Sequence, residues 1–233
     1  MNELRVQPPV SIAHREIEST FLSVAVDWAL VTGERWWDGT SRTYRPFGSV
    51  SAQPIQMDDP VLIEALRGLA PTVVRTGGSE SDRIAFLDVR SDDSRGTKCP
   101  TVLSAERWRS VADAVTAAGT SLYVCIGAGP CARGKNGRWM SDSFERFAEH
   151  VARHGDPVAV WELGNEVNGY PFILGPRARI SVSTYTEAFR RFRSIARRLT
   201  PAARCAGPAA AVWPVIGEPT AVLGTVARSL GPT

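Results

Sequence analysis

The chain has 233 residues, 43% hydrophobic and 22% charged, which is the composition of a globular domain able to bury a sizeable core and excludes disorder and collagen-like repetition. Lys plus Arg exceed Asp plus Glu by 27 − 24 = 3, too little to attract nucleic acid. No apolar run approaches the roughly 18 to 20 residues of a membrane span, and the N-terminal MNELRVQPPV lacks the apolar stretch of a secretory signal. No membrane insertion is expected, and the cytoplasm is the default compartment.

Residues 1–20 are polar, with Val10 and Ile12 in alternation beside Pro8 and Pro9, and read as an extended arm or an edge strand. From residue 21 to 233, short apolar runs alternate with longer stretches of helical period, the βαβα pattern. Strands are expected at 21–27 (FLSVAVD), 72–75 (TVVR), 121–126 (SLYVCI), 158–163 (VAVWEL) and, most weakly, 203–206. The first helix has Asp59 as cap, Pro60 in its first turn and an apolar stripe of Val61, Leu62, Ala65, Leu66 and Leu69. The second starts at Ser104, buries Trp108, Val111, Ala112, Val115 and Ala118, and closes at Gly119. Asp142 with Glu145 and Thr184 with Glu187 have the spacing of capping pairs for two more. Their buried faces are Phe144, Phe147, Ala148 and Val151, and then Tyr185, Phe189, Phe192, Ala196 and Leu199. One further helix fits around 220–230.

Such a chain forms either an open doubly wound sheet or a closed (β/α)8 barrel. A dinucleotide fold would carry G-x-G-x-x-G after its first strand, whereas WALVTGERWWDG follows Asp27. The barrel is favoured. A full one takes about 250 residues, so the expectation is a TIM-barrel type α/β domain over 21–233, cut short after about five βα units.

Cys99, Cys125, Cys131 and Cys205 contain no C-x-x-C, lie far from His14, His150 and His154, and are too sparse for a disulfide scaffold. No zinc site is expected. Cys125 and Cys205 read as small buried hydrophobes.

Functional groups of a parallel barrel gather at the carboxyl ends of its strands. Four segments stand there: Asp27, RTGGSESD (75–82), GAGPCARG (127–134) and GNEVNGY (164–170). In the last, Trp161, Leu163 and Gly164 lead into adjacent Asn165 and Glu166. A carboxyl group among apolar walls has its pKa raised and serves as a proton donor to a leaving oxygen, and a neighbouring amide grips a sugar hydroxyl. The plain alternative for Glu166 is a solvated loop carboxylate. Asp27 is either a sugar contact or a strand-end cap, and Glu162 either an inward partner or half of a structural ion pair. The TGGSE turn offers ligand-binding N–H groups or only a tight bend. Trp36 and Trp37 either stack on sugar rings or pack at the barrel mouth. Arg190, Arg191, Arg193, Arg197 and Arg198 read as the solvated face of a helix, with attraction for anionic glycans as the other use. No G-x-S-x-G nucleophile context is present.

FLSVAVD (21–27), VVRTGGSESDRIAF (73–86) and WELGNEVNGY (161–170), in that order and spacing over most of residues 20–210, resemble glycoside hydrolase family seventy-nine, the family of heparanase and related β-glucuronidases. The resemblance implies retaining hydrolysis of a glycan containing β-linked uronic acid, with Glu166 as acid/base and Asn165 as the sugar-binding amide. It also puts Asp27 and Ser79 where the family contacts the uronic acid. It implies no cofactor and no metal, and a secreted or lysosomal setting is common in the family. A retaining mechanism needs a second carboxylate about 5 to 5.5 Å from the first, which the family supplies after its seventh strand, beyond the expected end of this chain. Glu218, in IGEP, reads as a loop residue. GAGPCARG departs from the more polar segment of relatives. The alternatives are a xylosidase or arabinofuranosidase of the same clan, a noncatalytic carbohydrate-binding protein, and an inactive truncated product.

Overall fold

The computed structural model describes residues 19–33, 35–37, 49–86 and 99–211, together with residues 228 and 230. The expected N-terminal arm up to residue 18, Glu218 and most of the helix expected over 220–230 lie outside the described residues.

β1 (Val24–Asp27) runs straight into α1 (Trp28–Thr32), and β2 (Arg35–Trp37) pairs antiparallel with β3 (Ser49–Ser51). α2 (Pro60–Gly68) leads to β4 (Val73–Gly77), which is followed by a 3-10 turn at Ser79–Arg83. β5 (Ile84–Phe86) and β6 (Thr101–Leu103) form a parallel pair of their own ahead of α3 (Ala105–Ala117) and β7 (Ser121–Ile126). α4 (Asp142–His154), β8 (Val158–Leu163), the short α5 (Tyr170–Ile173), α6 (Val182–Leu199) and β9 (Arg204–Ala206) complete the series.

The main sheet has five strands in the order β1-β4-β7-β8-β9, every pair parallel. Each strand is added beside the one before it, and the order never reverses. One face is apolar: Val74, Leu122, Val124, Ile126, Trp161 and Leu163 join the core built by α3, α4 and α6. Aromatic rings fill that layer, with Phe147 stacked on Phe86 at 4.8 Å and edge-on to Trp108 and Trp161, and Phe144 against Trp161 and Phe192. The other face carries Arg75, Tyr123 and Glu162. Period-2 alternation thus splits each strand into a core side and a polar side.

Four strand expectations, those for β4, β7, β8 and β9, match to within two residues at either end, and β1 is shorter than expected. Phe21 and Leu22 are 71% and 65% exposed, so hydrophobicity at 21–22 reflects surface and not pairing. The cap of α2 is as read, Asp59 accepting from Val61 N–H at 2.8 Å. Its stripe is not. Leu66 is buried with Leu62 and Ile63 half-buried, while Val61 is 75% exposed, because the helix docks along a narrower line than its apolar residues span. Asp142 is the first helical residue of α4, not a capping partner; Ser141 precedes it, and the Glu145 side chain pairs with Arg198 of α6. In α6, Ser181 and not Thr184 is the cap, accepting from Thr184 N–H at 3.1 Å.

Candidate active site

Asp27, the last residue of β1, accepts a 2.8 Å hydrogen bond from Ala29 N–H and so caps α1. Its other carboxylate oxygen lies against Gly78: a Cβ there would stand 1.8 Å from Oδ2, and the glycine holds φ at +92°. Only glycine fits. Burial raises the Asp27 pKa, while the Ala29 N–H and Arg75 pull it down. Ser79 follows Gly78 directly and opens the 3-10 turn, half-buried.

Arg75, on β4, organises the polar face. Its Nε and Nη2 donate to Glu162 Oε2 at 3.0 and 2.6 Å, and Nη2 also donates to Asn165 Oδ1 at 3.1 Å. Tyr123 on the intervening strand donates to Glu162 Oε1 at 3.1 Å, and the Arg75 guanidinium lies 5.8 Å from its ring centre. Glu162 is therefore a structural ion-pair partner with both oxygens engaged.

At the end of β8, Gly164 turns the chain with φ +79°, its N–H donating to Ile126 O at 2.6 Å. Asn165 is buried. Glu166 follows with φ 48° and ψ 48°, the one non-glycine with positive φ among the described residues. A left-handed glutamate costs roughly 1 to 2 kcal/mol, and such strain gathers at functional positions. Burial raises the Glu166 pKa, opposed by the charge of Arg75. A carboxyl group so shifted keeps its proton longer as pH rises, as a general acid requires.

Of the four expected site residues, Asn165 touches Arg75 directly, and Asp27 and Glu166 lie in its field. Ser79 stands next to the glycine that Asp27 abuts. The sequence alone assigns no role to Arg75, at the head of the segment 75–82, or to Tyr123. The signal for both is a charged or polar residue inside an otherwise apolar strand. The side chains of Trp36 and Trp37, expected to stack or pack, lie outside the described residues. In the basic stretch of α6, Arg190, Arg191, Arg197 and Arg198 are exposed and Phe192 and Ala196 buried, the arrangement of a solvated helix face. Cys99 and Cys131 are joined in a disulfide across the loops after β5 and β7, a pairing absent from the sequence expectation. Cys125 is buried with its thiol pKa pushed up by burial, and Cys205 is half-buried. Among the described residues no cluster of three or more potential metal ligands occurs, and no helix is long and apolar enough to cross a membrane.

The parallel α/β sheet carries, just past the end of β8, an adjoining amide and carboxylate in the field of one guanidinium, at the edge where parallel α/β folds gather their ligand-binding groups. Residues 6–208 match the model of Glycosyl hydrolase family 79, N-terminal domain, and the chain belongs to that family. Its class is accordingly that of O-glycosyl hydrolases, with a glycan as substrate. No curated protein matches the chain.

Proposed function

We propose that this chain carries the acid/base residue of a retaining glycosidase that acts on glycans containing β-linked glucuronic acid. Glu166 protonates the glycosidic oxygen as the bond breaks, then takes a proton from the water that releases the sugar. Asn165, held by Arg75, presents its amide to a sugar hydroxyl, and Asp27 and Ser79 line the uronic acid position. The nucleophile in this reading is a glutamate after a later strand than β9. The observation that carries the proposal is the half-buried Glu166 beside Asn165 at the end of β8, its pKa raised by burial. The unreversed strand order and the polar face with Arg75, Tyr123 and Glu162 support a (β/α)8 barrel, whose interior that face would line.

The test is turnover by the full-length protein of chromogenic β-glucuronide, xyloside and arabinofuranoside, and of a glucuronide with a poor leaving group. Glucuronide is expected to be preferred, and Glu166→Gln to lose about 10²- to 10⁴-fold on the poor leaving group. Unchanged rates overturn the acid/base role, preference for a pentoside overturns the substrate, and glucuronide binding without turnover identifies a binding protein.

A further inference from the structure

Glu166 keeps a left-handed backbone, which persists only where the chain on both sides of it is held. Upstream, Leu163 O accepts from the Tyr185 hydroxyl at 2.7 Å and Gly164 N–H donates to Ile126 O at 2.6 Å. Those ties run to α6 and β7. Downstream, the chain has left the sheet and is held from a different place, the segment that follows β9. Val167 N–H donates to Ala209 O at 3.0 Å. The Asn168 side chain then meets both polar groups of one residue: its Oδ1 accepts from Ala211 N–H and its Nδ2 donates to Ala211 O, each at 2.8 Å. Three bonds thus join residues 167–168 to residues 209–211.

A carboxamide offers a donor and an acceptor side by side, so one asparagine side chain pairs with a backbone N–H and C=O as a neighbouring strand would. Aspartate has the same shape, but when ionised it only accepts, and it would set an oxygen against Ala211 O. Alanine offers neither group. Ala211 is buried, so its N–H and C=O need partners within the protein. The segment that carries it is itself closely placed. A Cβ on Gly207 would lie 2.4 Å from the Tyr185 hydroxyl, the same hydroxyl that holds Leu163 O. The turn from Leu163 to Asn168 is therefore fixed at both ends relative to one strip of chain, with Glu166 between.

We propose that Asn168 is a positioning residue that fastens the 3-10 turn after Glu166 to the strip after β9 and so holds Glu166 in the conformation from which its carboxyl reaches the leaving oxygen. The consequence for turnover rests on the acid/base reading of Glu166. The fastening does not. Of the three bonds, only that of Val167 survives loss of the Asn168 amide, and Glu166 is then free to relax toward ordinary backbone and turn its carboxyl away. A misdirected acid matters only where the leaving group needs a proton. Dinitrophenolate departs without one, whereas an alkoxide does not, and kcat/KM covers the steps up to cleavage of the glycosidic bond.

The test is amide hydrogen exchange at Val167, Gly169 and Ala211 of the full-length protein at neutral pH, with the amides of α3 as reference. Asn168→Ala is expected to lower protection at the three positions by about ten- to a hundredfold and to leave α3 unchanged. Asn168→Asp, of the same shape, is expected to fall at least as far. An aspartate variant as protected as wild type shows that Asn168 only fills space, and a loss in α3 equal to that in the turn shows general destabilisation; either result overturns the fastening. In turnover, both variants are expected to lose about ten- to a hundredfold in kcat/KM on an alkyl glucuronide and less than about threefold on dinitrophenyl glucuronide. Equal losses on the two substrates, or none on either, overturn the positioning of Glu166. Absence of wild-type turnover of both glucuronides strikes the hydrolytic reading, and the exchange result then decides the fastening by itself.

Discussion

Arg75 on β4 reaches across β7 to Glu162 on β8, placing Nη2 2.6 Å and Nε 3.0 Å from the same carboxylate oxygen. Glu162 is 7% exposed and Arg75 29%, so the pair is largely shielded from water. Removing one partner strands a charge, whereas removing both does not. Arg75→Met is expected to destabilise the protein by about 3 to 5 kcal/mol, read as a shift of the urea unfolding midpoint. Adding Glu162→Leu is expected to recover most of that loss. A double variant no more stable than the single would show that Glu162 is not the group Arg75 neutralises.

The sequence foretells strands and helices better than it foretells polar contacts. Strands β7 and β8 are legible because SLYVCI and VAVWEL are short apolar runs between helices of clear period. Asn165 and Glu166 are legible because function in parallel α/β folds collects after strands. Arg75 and Asp82 sit in the quoted segment RTGGSESD, yet their partners Glu162, Asn165, Ala128 and Tyr170 are 46 to 90 residues away. Pairing over that distance is set by strand order and register, which local pattern does not encode. The capping partners of α4 and α6 failed for a simpler reason. In α6 Ser181 stands ahead of the Thr that matched the spacing and takes the cap, and in α4 Asp142 already lies inside the first turn, behind a Ser141 that makes no side-chain cap bond.

Gly78 and Asp27 form a second close approach. An alanine at 78 meets Asp27 Oδ2 at 1.8 Å and must hold φ +92°. Gly78→Ala is expected to cost at least about 2 kcal/mol from backbone strain and collision together. Asp27→Ala removes the collision but leaves the φ penalty, and it also takes the cap from α1 at about 1 kcal/mol. In a double-mutant cycle monitored by denaturant unfolding, Gly78→Ala should therefore cost less in the Asp27→Ala background. Equal costs in both backgrounds would show that the carboxylate swings away freely.

The Cys99–Cys131 disulfide spans 32 residues of sequence and anchors the 3-10 turn that follows Gly129. A cross-link of that length restricts the unfolded chain by about 3 to 4 kcal/mol in the chain-entropy picture. Cys99→Ser is expected to lower stability by about 2 to 4 kcal/mol, and reductant should bring the wild type to the same unfolding midpoint. Cys125 and Cys205 do not share in the cross-link, so reductant should leave the Cys99→Ser midpoint where it is.

Glu166 occupies a backbone conformation that suits asparagine or glycine better than glutamate, with φ 48° and ψ 48°. Its half-buried carboxyl also has a raised pKa, so in neutral solution the ionised form sits where burial disfavours it. Both effects make the position unfavourable for folding. Glu166→Asn relieves the strain and removes the charge, and is expected to stabilise the protein by about 1 kcal/mol while abolishing acid-assisted turnover. The gain should be larger at neutral than at acidic pH: the folded-state pKa lies above the unfolded one, so the wild-type acid is most stabilising below its unfolded pKa and loses that contribution as pH rises. Glu166→Ala removes the carboxyl but keeps a Cβ in the left-handed region, and should gain less than Glu166→Asn. Thermal unfolding of the three proteins at two pH values tests the ordering. An asparagine variant less stable than the alanine one would mean that the glutamate side chain, and not its backbone, sets the stability of this turn.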